Sequence, residues 1–132
     1  MKSNCAILAH WIELAQFIDA RGKLTIANFD SFPFLPVRIF FISDAPAGTV
    51  RGGHSHKEGE QILVCLSGRI KVELRNQGKT QTVICKPNGR GLILKAGTWA
   101  QQTYLEADSH LLVFCSHAYN RDSYRDEDGC PL

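Results

Sequence analysis

Two histidines one residue apart, His54 and His56, are the side chains in this sequence best suited to chemistry. They lie a few residues before an apolar run, residues 62–66, that ends at a Ser-Gly turn, a pattern typical of an extended segment leading into a β-strand. Side chains of an extended backbone alternate between its two faces, so both imidazoles are predicted to point to the same side. Imidazoles bind metal ions, and near neutral pH they also accept and return protons. The pair is therefore a candidate either for a metal site or for acid–base catalysis.

The sequence does not supply the other ligands of a metal site where they are expected. A His-x-His pair before an apolar strand that ends in Gly resembles the signature of cupin β-barrels, whose metal-binding members add a Glu and a third His. Here Gln61 occupies the Glu position and Ala100 the position of the third His. Glu60 is adjacent, but an offset of one residue turns it to the opposite face. Two imidazoles alone complete neither a zinc site nor a two-His-one-carboxylate iron site. We therefore expect no metal and no other cofactor, unless Glu60 turns inward or His110 or His117 approaches.

Short β-strands are the elements predicted to position these histidines. In residues 69–75, Ile70, Val72 and Leu74 alternate with charged side chains, and turn residues lie on both sides, as in a half-buried strand. Similar runs recur along the chain, which favours an all-β barrel. We predict a single-domain cupin, a double-stranded β-helix or jelly-roll barrel, over residues 1–132. The expected strands are residues 38–43, 61–66, 69–75, 81–85, 91–94 and 110–116, with two more within 11–27 and a polar tail from about 119 that forms a short helix or an ordered arm.

Composition excludes several functional classes. The 132 residues suffice for one domain with a sizeable core. The net charge of +2 is weak and the Lys and Arg residues are dispersed, which argues against nucleic acid as a partner. No apolar run is long enough for a membrane span or a secretory signal, so no membrane partner is expected. Five cysteines without paired spacing fit a reducing compartment, and we expect a cytoplasmic protein.

Several stretches of the chain resemble the nucleotide-sugar 3,4-ketoisomerases, the dTDP-4-keto-6-deoxyhexose isomerases whose cupin domain also occurs in WxcM-like proteins. The resemblance covers nearly the whole chain, and its most specific part is the histidine segment combined with the polar C-terminal tail. The similar stretches are residues 12–14, 19–24, 38–44, 51–57, 60–61, 66–68, 111–113 and 122–126, together with Phe34 and Tyr119.

This resemblance implies a cupin jelly roll that forms a homodimer and requires no metal. The implied partner is a nucleotide-linked keto sugar, whose ketone moves from C4 to C3 through an enediol. By position, His54 and His56 are the implied acid–base pair. Arg51 is a candidate partner for the diphosphate or the developing enolate oxygen, because a fixed guanidinium stabilises such charge.

The chain departs from the family pattern at positions that would contact substrate. Family members usually carry tyrosines in the strand where this chain has Phe41 and Ser43, and a His after the tryptophan where it has Trp99 and Ala100. These four residues and Gln61 are candidate substrate contacts, Trp99 either by stacking on a base or sugar or as a core residue. The losses leave two functions open. One is a ketoisomerase, the favoured interpretation; the other is a non-catalytic cupin that binds a nucleotide sugar.

Overall fold

A computed structural model describes residues 7–132, which form twelve β-strands and two short 3₁₀ turns. In chain order the strands are β1 (His10–Glu13), β2 (Ala15–Asp19), β3 (Gly22–Ile26), β4 (Arg38–Ile42), β5 (Val50–His56), β6 (Gln61–Ser67), β7 (Ile70–Asn76), β8 (Lys79–Cys85), β9 (Arg90–Leu94), β10 (Trp99–Tyr104), β11 (His110–Cys115) and β12 (Tyr124–Arg125). The prediction of an all-β fold is confirmed.

Two five-stranded antiparallel sheets enclose the main core. Their strand orders are β1-β9-β6-β11-β4 and β12-β5-β10-β7-β8, and β2 and β3 form a separate hairpin. Inward side chains of the first sheet, such as Leu63 and Leu92, pack in one buried cluster with Ile70 and Val72 of the second. The alternation seen in residues 69–75 therefore points Ile70, Val72 and Leu74 into the barrel, as predicted.

A second apolar cluster covers the outer face of the first sheet. Ile62 and Val64 of β6 and Phe114 of β11 point away from the barrel interior and are covered by Phe32 and Leu14. The rings of Phe32 and Phe114 meet edge to face with centroids 5.1 Å apart, a favourable aromatic geometry. Strands β6 and β11 are thus buried on both faces, which explains their continuous apolar sequences.

Two strands at the centre of the second sheet were not in the predicted set. Strand β5 contains Gly52 and Gly53, both at positive φ of about 80°, and glycines of this kind weaken a strand pattern. Strand β10 shifts register against β5 between Ala100 and Gln101, a bulge that interrupts simple alternation. The N-terminal region forms three strands, β1 to β3, where two were expected. The histidine pair is therefore part of a paired strand, β5.

The polar tail is an ordered arm that contains one short turn. A 3₁₀ turn, Arg121–Ser123, leads into β12, which pairs with β5. The other 3₁₀ turn is Phe29–Ser31. Within residues 7–132 there is no helix with the length and apolar character needed to cross a membrane.

Candidate active site

The two predicted histidines and one tyrosine form a tight aromatic cluster at one end of the barrel. His54 and His56 lie on the same face of β5, with ring centroids 5.2 Å apart. Tyr124 of β12 pairs in register with His56, which places its side chain on that face too. Its ring centroid is 4.6 Å from that of His54 and 4.5 Å from that of His56. The expectation that both imidazoles point to one side is confirmed by this geometry.

Polar side chains from the opposite sheet surround His56. Gln61, the first residue of β6, places its amide nitrogen 3.5 Å from His56 Nε2 and 3.7 Å from the Sγ of Cys115. Arg38, the first residue of β4, places Nη2 3.5 Å from the same sulfur. His117 follows β11, and its ring centroid lies 5.2 Å from that of His56. Gln61 and His117 thus lie against the His56 imidazole, and Cys115 and Arg38 extend this polar group behind Gln61.

The approach of His117 depends on a glycine. Gly59 has a positive φ of 90°, and a Cβ atom at this position would overlap the His117 ring. Only a residue without a side chain both adopts this backbone conformation easily and leaves space for the imidazole. The turn between β5 and β6 therefore has a steric reason for its glycine.

Burial holds both predicted histidines in their neutral form. Desolvation lowers the pKa of His56 to about 4. The positive charge of Arg38, and that of His54 or His117 when either ring is protonated, acts in the same direction. Desolvation also lowers the pKa of His54. The Nδ1 atoms of both rings are buried without a hydrogen-bond partner among the described residues. At neutral pH both imidazoles are therefore neutral and able to accept a proton.

A cavity of about 180 Å³ opens beside His54. Its polar lining comes from Arg51, His54, Gln61, Gln102 and Tyr124, and its apolar lining comes mainly from β4 and β11. A smaller chamber of about 20 Å³ adjoins it, close to the minimum that holds one water molecule. His54 and Gln61 line both spaces. The lining combines apolar walls with a few polar groups, as ligand sites generally do.

The predicted substrate contacts divide into two groups. Arg51, Gln61 and Ala100 lie with the histidines, with Ala100 in the wall of the smaller chamber. Phe41 and Ser43 do not line either space, because Phe41 points outward from β4 with 70% of its side chain exposed and Ser43 is exposed beyond the strand end. Trp99 is buried on the outer side of β10, where the Arg75 guanidinium lies 4.8 Å from its ring. Within one chain, these three side chains are not part of the cluster.

Three positions considered for further metal ligands lie near the histidine pair. Gln61 and Ala100 both line the smaller chamber together with His54 and His56. His117 does approach His56, whereas His110 pairs with Ser67 at the start of β11. Within residues 7–132 no group of three or more His, Cys, Asp or Glu side chains is arranged to hold a metal ion.

Four members of the cluster were not among the predicted catalytic and substrate-contact residues, although His117 had been named as a side chain that could approach. Arg38 and Cys115 lie at the start and end of strands whose inward positions are set by alternation, which could have indicated them. Tyr124 begins β12 and His117 follows β11, and their sequence spacing gives no such signal. Only the pairing of β12 with β5 brings Tyr124 to the histidines.

Known proteins share this fold and part of this sequence. Residues 8–129 match the family described as "FdtA: WxcM-like, C-terminal". A TDP-4-oxo-6-deoxy-alpha-D-glucose-3,4-oxoisomerase from Aneurinibacillus thermoaerophilus is 31% identical over 114 residues, which cover 86% of this chain and 82% of the relative.

Solved structures of 3,4-ketoisomerases also align with this chain. A mutant of the 3,4-ketoisomerase QdtA from Thermoanaerobacterium thermosaccharolyticum, in complex with TDP-4-keto-6-deoxyglucose, aligns with a TM-score of 0.83 and 26% identity over 90% of this chain and 87% of that one. The TDP-quinovose 3,4-ketoisomerase WlaRB from Campylobacter jejuni aligns with a TM-score of 0.80 and 26% identity over 88% of this chain and 90% of that one. The predicted cupin fold is confirmed, and the chain belongs to the WxcM-like FdtA family, whose relatives described here are dTDP-sugar 3,4-ketoisomerases.

Proposed function

We propose that this protein is a 3,4-ketoisomerase that acts on a nucleotide-linked 4-keto-6-deoxy sugar and moves its ketone from C4 to C3. The observation that carries the proposal is the cavity beside His54, where a neutral imidazole, a second imidazole behind it and an arginine converge. Family membership supplies the substrate class, since relatives of this chain act on or bind TDP-linked keto sugars.

The proposed chemistry is proton transfer without a metal. His54 lines the cavity and takes the proton from C3, and the electron pair moves to the C4 carbonyl oxygen to give an enediolate. Arg51 lines the same cavity and stabilises the negative charge on that oxygen. Return of the proton to C4 leaves the ketone at C3. His56 is more deeply buried and completes the acid–base pair, and its lowered pKa keeps it unprotonated between turnovers.

The cavity size fits a sugar ring better than a whole nucleotide sugar. Its volume of about 180 Å³ is below the ~300–1,000 Å³ of sites that enclose a drug-sized ligand. We assign the sugar to the cavity and the diphosphate and nucleoside to the surface beyond Arg51, which is exposed. In this arrangement Arg51 contacts both the reacting sugar and the diphosphate.

We also propose that the chain forms a homodimer. The β2–β3 hairpin exposes Phe17, Ile18 and Leu24, and the edge strand β4 exposes Ile39 and Phe41 on its outer face. Exposed apolar side chains on an open sheet edge favour association with another strand, and a second copy of this chain presents the same complementary surface. Light scattering should give twice the chain mass, and Phe41→Glu should reduce it to that of one chain.

The cysteines support a reducing location. Cys65, Cys85 and Cys115 are buried free thiols, and burial raises the pKa of Cys65 to about 11 and that of Cys85 to about 12. Exposed Cys130 is also free. Free thiols are typical of proteins kept in a reducing compartment, which is consistent with a cytoplasmic enzyme.

The test uses dTDP-4-keto-6-deoxyglucose in heavy water, with products followed by NMR. We expect a 3-keto product and deuterium at the carbon that receives the proton. Activity should persist after dialysis against a metal chelator. A protein that binds the nucleotide sugar tightly but forms no 3-keto product and exchanges no proton contradicts the isomerase proposal.

Ala100 favours a second candidate, a protein that binds the nucleotide sugar without turning it over. At this position the chain places a methyl group against the histidines where the resemblance leads us to expect a third imidazole. This candidate predicts that His54→Ala leaves nucleotide-sugar affinity nearly unchanged. It also predicts no turnover before or after the substitution, so calorimetry combined with the NMR assay separates the two proposals.

A further inference from the structure

The proposed isomerisation moves two protons, and the histidines account for only one of them. One proton leaves C3 and one arrives at C4, which the imidazoles perform. The second proton must leave the C3 hydroxyl oxygen as the new ketone forms and must arrive at the C4 oxygen. A single group that both donates and accepts a proton at neighbouring oxygens can carry out this second transfer.

Few side chains in the cavity can do this. Arg51 only donates hydrogen bonds, and the Gln61 amide nitrogen already lies against His56 and Cys115. Gln102 has an amide, which does not exchange a proton readily. Among the described residues that line the cavity, Tyr124 is the one hydroxyl. A phenol hydroxyl is both a donor and an acceptor.

Tyr124 is held in place from both sides. Its ring packs against both imidazoles, with centroid distances of 4.6 and 4.5 Å. The preceding residue, Ser123, accepts a hydrogen bond from the Lys57 backbone N–H through its carbonyl (2.7 Å) and another from the Glu58 N–H through its hydroxyl (3.2 Å). The arm is thus anchored to the turn that follows the histidines. A group fixed in this way requires little reorganisation during the reaction.

We propose that Tyr124 is a further catalytic residue, whose hydroxyl carries the proton between the two sugar oxygens. In this step the phenol oxygen accepts the proton from the C3 oxygen and gives its own proton to the C4 oxygen. The C3–O bond becomes the carbonyl as the enediolate collapses toward protonation at C4. The phenol ends unchanged, so no other reactant is needed. The inference rests on the proposed ketoisomerase function.

The experiment compares Tyr124→Phe with the matched control Tyr119→Phe. Phenylalanine keeps the ring that packs on the imidazoles and removes only the hydroxyl. The ring centroid of Tyr119 lies 5.8 Å from that of Tyr124. Tyr119 is nevertheless 62% exposed and does not line the cavity. Each variant is assayed in heavy water for two rates, formation of the 3-keto product and deuterium incorporation at C3 of the starting sugar.

We expect Tyr124→Phe to slow product formation about 10²-fold or more, the usual loss when a general acid–base group is removed. Exchange at C3 needs only the base and the stabilised enediolate, so the ratio of exchange to product should rise. Tyr119→Phe should match the wild type in both rates. Equal losses of exchange and product would show that Tyr124 only positions the histidines, and would overturn the proposal, as would unchanged product formation.

Two further outcomes are informative. A wild type that neither exchanges nor isomerises overturns the proposed function and this inference together, whereas an active wild type with an unaffected Tyr124→Phe overturns this inference alone. Fluorotyrosine at position 124 keeps both the ring and the hydroxyl and changes only how strongly the hydroxyl donates and accepts a hydrogen bond, so it tests the shuttle even if the phenylalanine variant misfolds. The ratio of exchange to product should then differ from that of the wild type, and an unchanged ratio contradicts the shuttle.

Discussion

The two ends of the barrel interior are built from the same strands but differ in what they bury: one end is closed by packed side chains, and the other contains the histidines and the cavity. At the end formed by Cys65, Ile70 and Tyr104, the side chains are buried. At the other end, His54 and His56 keep buried ring nitrogens without partners. Strand β10 shows the change along its own length, since Tyr104 fills one end and Ala100 leaves a chamber at the other. Apolar packing stabilises the first end, although the Tyr104 hydroxyl there is also buried without a partner among the described residues. The second end buries two unpartnered ring nitrogens, which costs stability.

This difference indicates how the fold divides its tasks. Apolar burial at the closed end stabilises the folded barrel. Part of this stability offsets the cost of burying two neutral, oriented imidazoles at the histidine end. Substitutions at the histidine end should therefore change activity more than stability, and substitutions at the closed end should do the reverse. The following predictions test this division.

The largest effect is expected at His54. Replacement by Gln keeps a polar side chain of similar size but removes the proton acceptor from the cavity. Turnover of the keto sugar should fall ~10²–10⁴-fold, the usual contribution of a general base. The free energy of unfolding, measured in urea, should change by less than about 1 kcal/mol, because a half-buried ring without a partner at Nδ1 contributes little.

The control for this prediction is His10→Gln, in an exposed position on β1. It should match the wild type in turnover and in stability. If His54→Gln keeps full turnover, His54 is not the base. If it unfolds the protein instead, the histidine end is needed for stability and the division between the two ends is wrong.

At the closed end, Ile70→Ala should give the reverse result. Ile70 has no exposed surface, and removal of such a side chain typically costs ~2–5 kcal/mol of stability through lost burial and a residual cavity. Turnover per folded molecule should remain near that of the wild type at a temperature where the variant is folded. Ile70→Val provides a graded control, with an expected cost of ~0.5–1.5 kcal/mol.

The pH dependence of stability should reveal the cost of burying His56. Its pKa is about 4 in the folded protein against 6.5 for an ordinary histidine, so the unfolded chain binds the proton more tightly. Its contribution to stability is therefore complete above pH 6.5 and is lost as the pH falls from 6.5 toward 4. With partial solvent screening, we expect a loss of ~1–3 kcal/mol across this range.

Urea unfolding at several pH values between 7 and 4 measures this loss. His56→Gln cannot take up the proton and should flatten the profile, although the charged neighbours His54, His117 and Arg38 remain. His10→Gln should retain the wild-type profile. A His56→Gln profile as steep as that of the wild type would assign the pH dependence to other groups.

The sequence carried enough information for the fold class and for the centre of the site. Alternation in residues 69–75 and the apolar runs of β6, β9 and β11 reflect burial, which acts locally on each strand. Gln61 and Ala100, which the cupin motif assigns to the two further ligand positions, line one chamber with both histidines because side chains of paired strands share faces. Local patterns of this kind can be read without knowing the partner strands.

The remaining features depend on pairing between distant segments. Strand β5 pairs with β10 although it contains two glycines at positive φ. No local sequence pattern indicates that such a segment forms a strand. Phe41 was expected near substrate, but its position on β4 turns it outward, whereas Arg38 and Phe40 turn inward. Tyr124 reaches the histidines only through the pairing of β12 with β5. Long-range register, rather than residue type, determines these contacts.

The smallest predicted effect compares the same residue type at the two ends. Ser123 Oγ accepts a hydrogen bond from the Glu58 N–H at the histidine end (3.2 Å). Ser109 Oγ accepts one from the Arg69 N–H at the closed end (3.1 Å) and also donates to the Arg69 carbonyl at the same distance. Both serines are buried. Replacement of either by Ala should cost ~1–2 kcal/mol of unfolding free energy, with Ser109→Ala at the upper end because it loses two hydrogen bonds.

Activity should distinguish the two serine variants although their stabilities are similar. Ser123→Ala loosens the arm that holds Tyr124 against His54 and His56, so kcat should fall several-fold. Ser109→Ala loosens only the turn before β7 and should leave kcat unchanged. Equal kcat values would show that the arm stays in place through its pairing with β5 alone. A fall in kcat for Ser109→Ala would instead show that a disturbance at the closed end reaches the imidazoles, and the two ends could no longer be treated as independent.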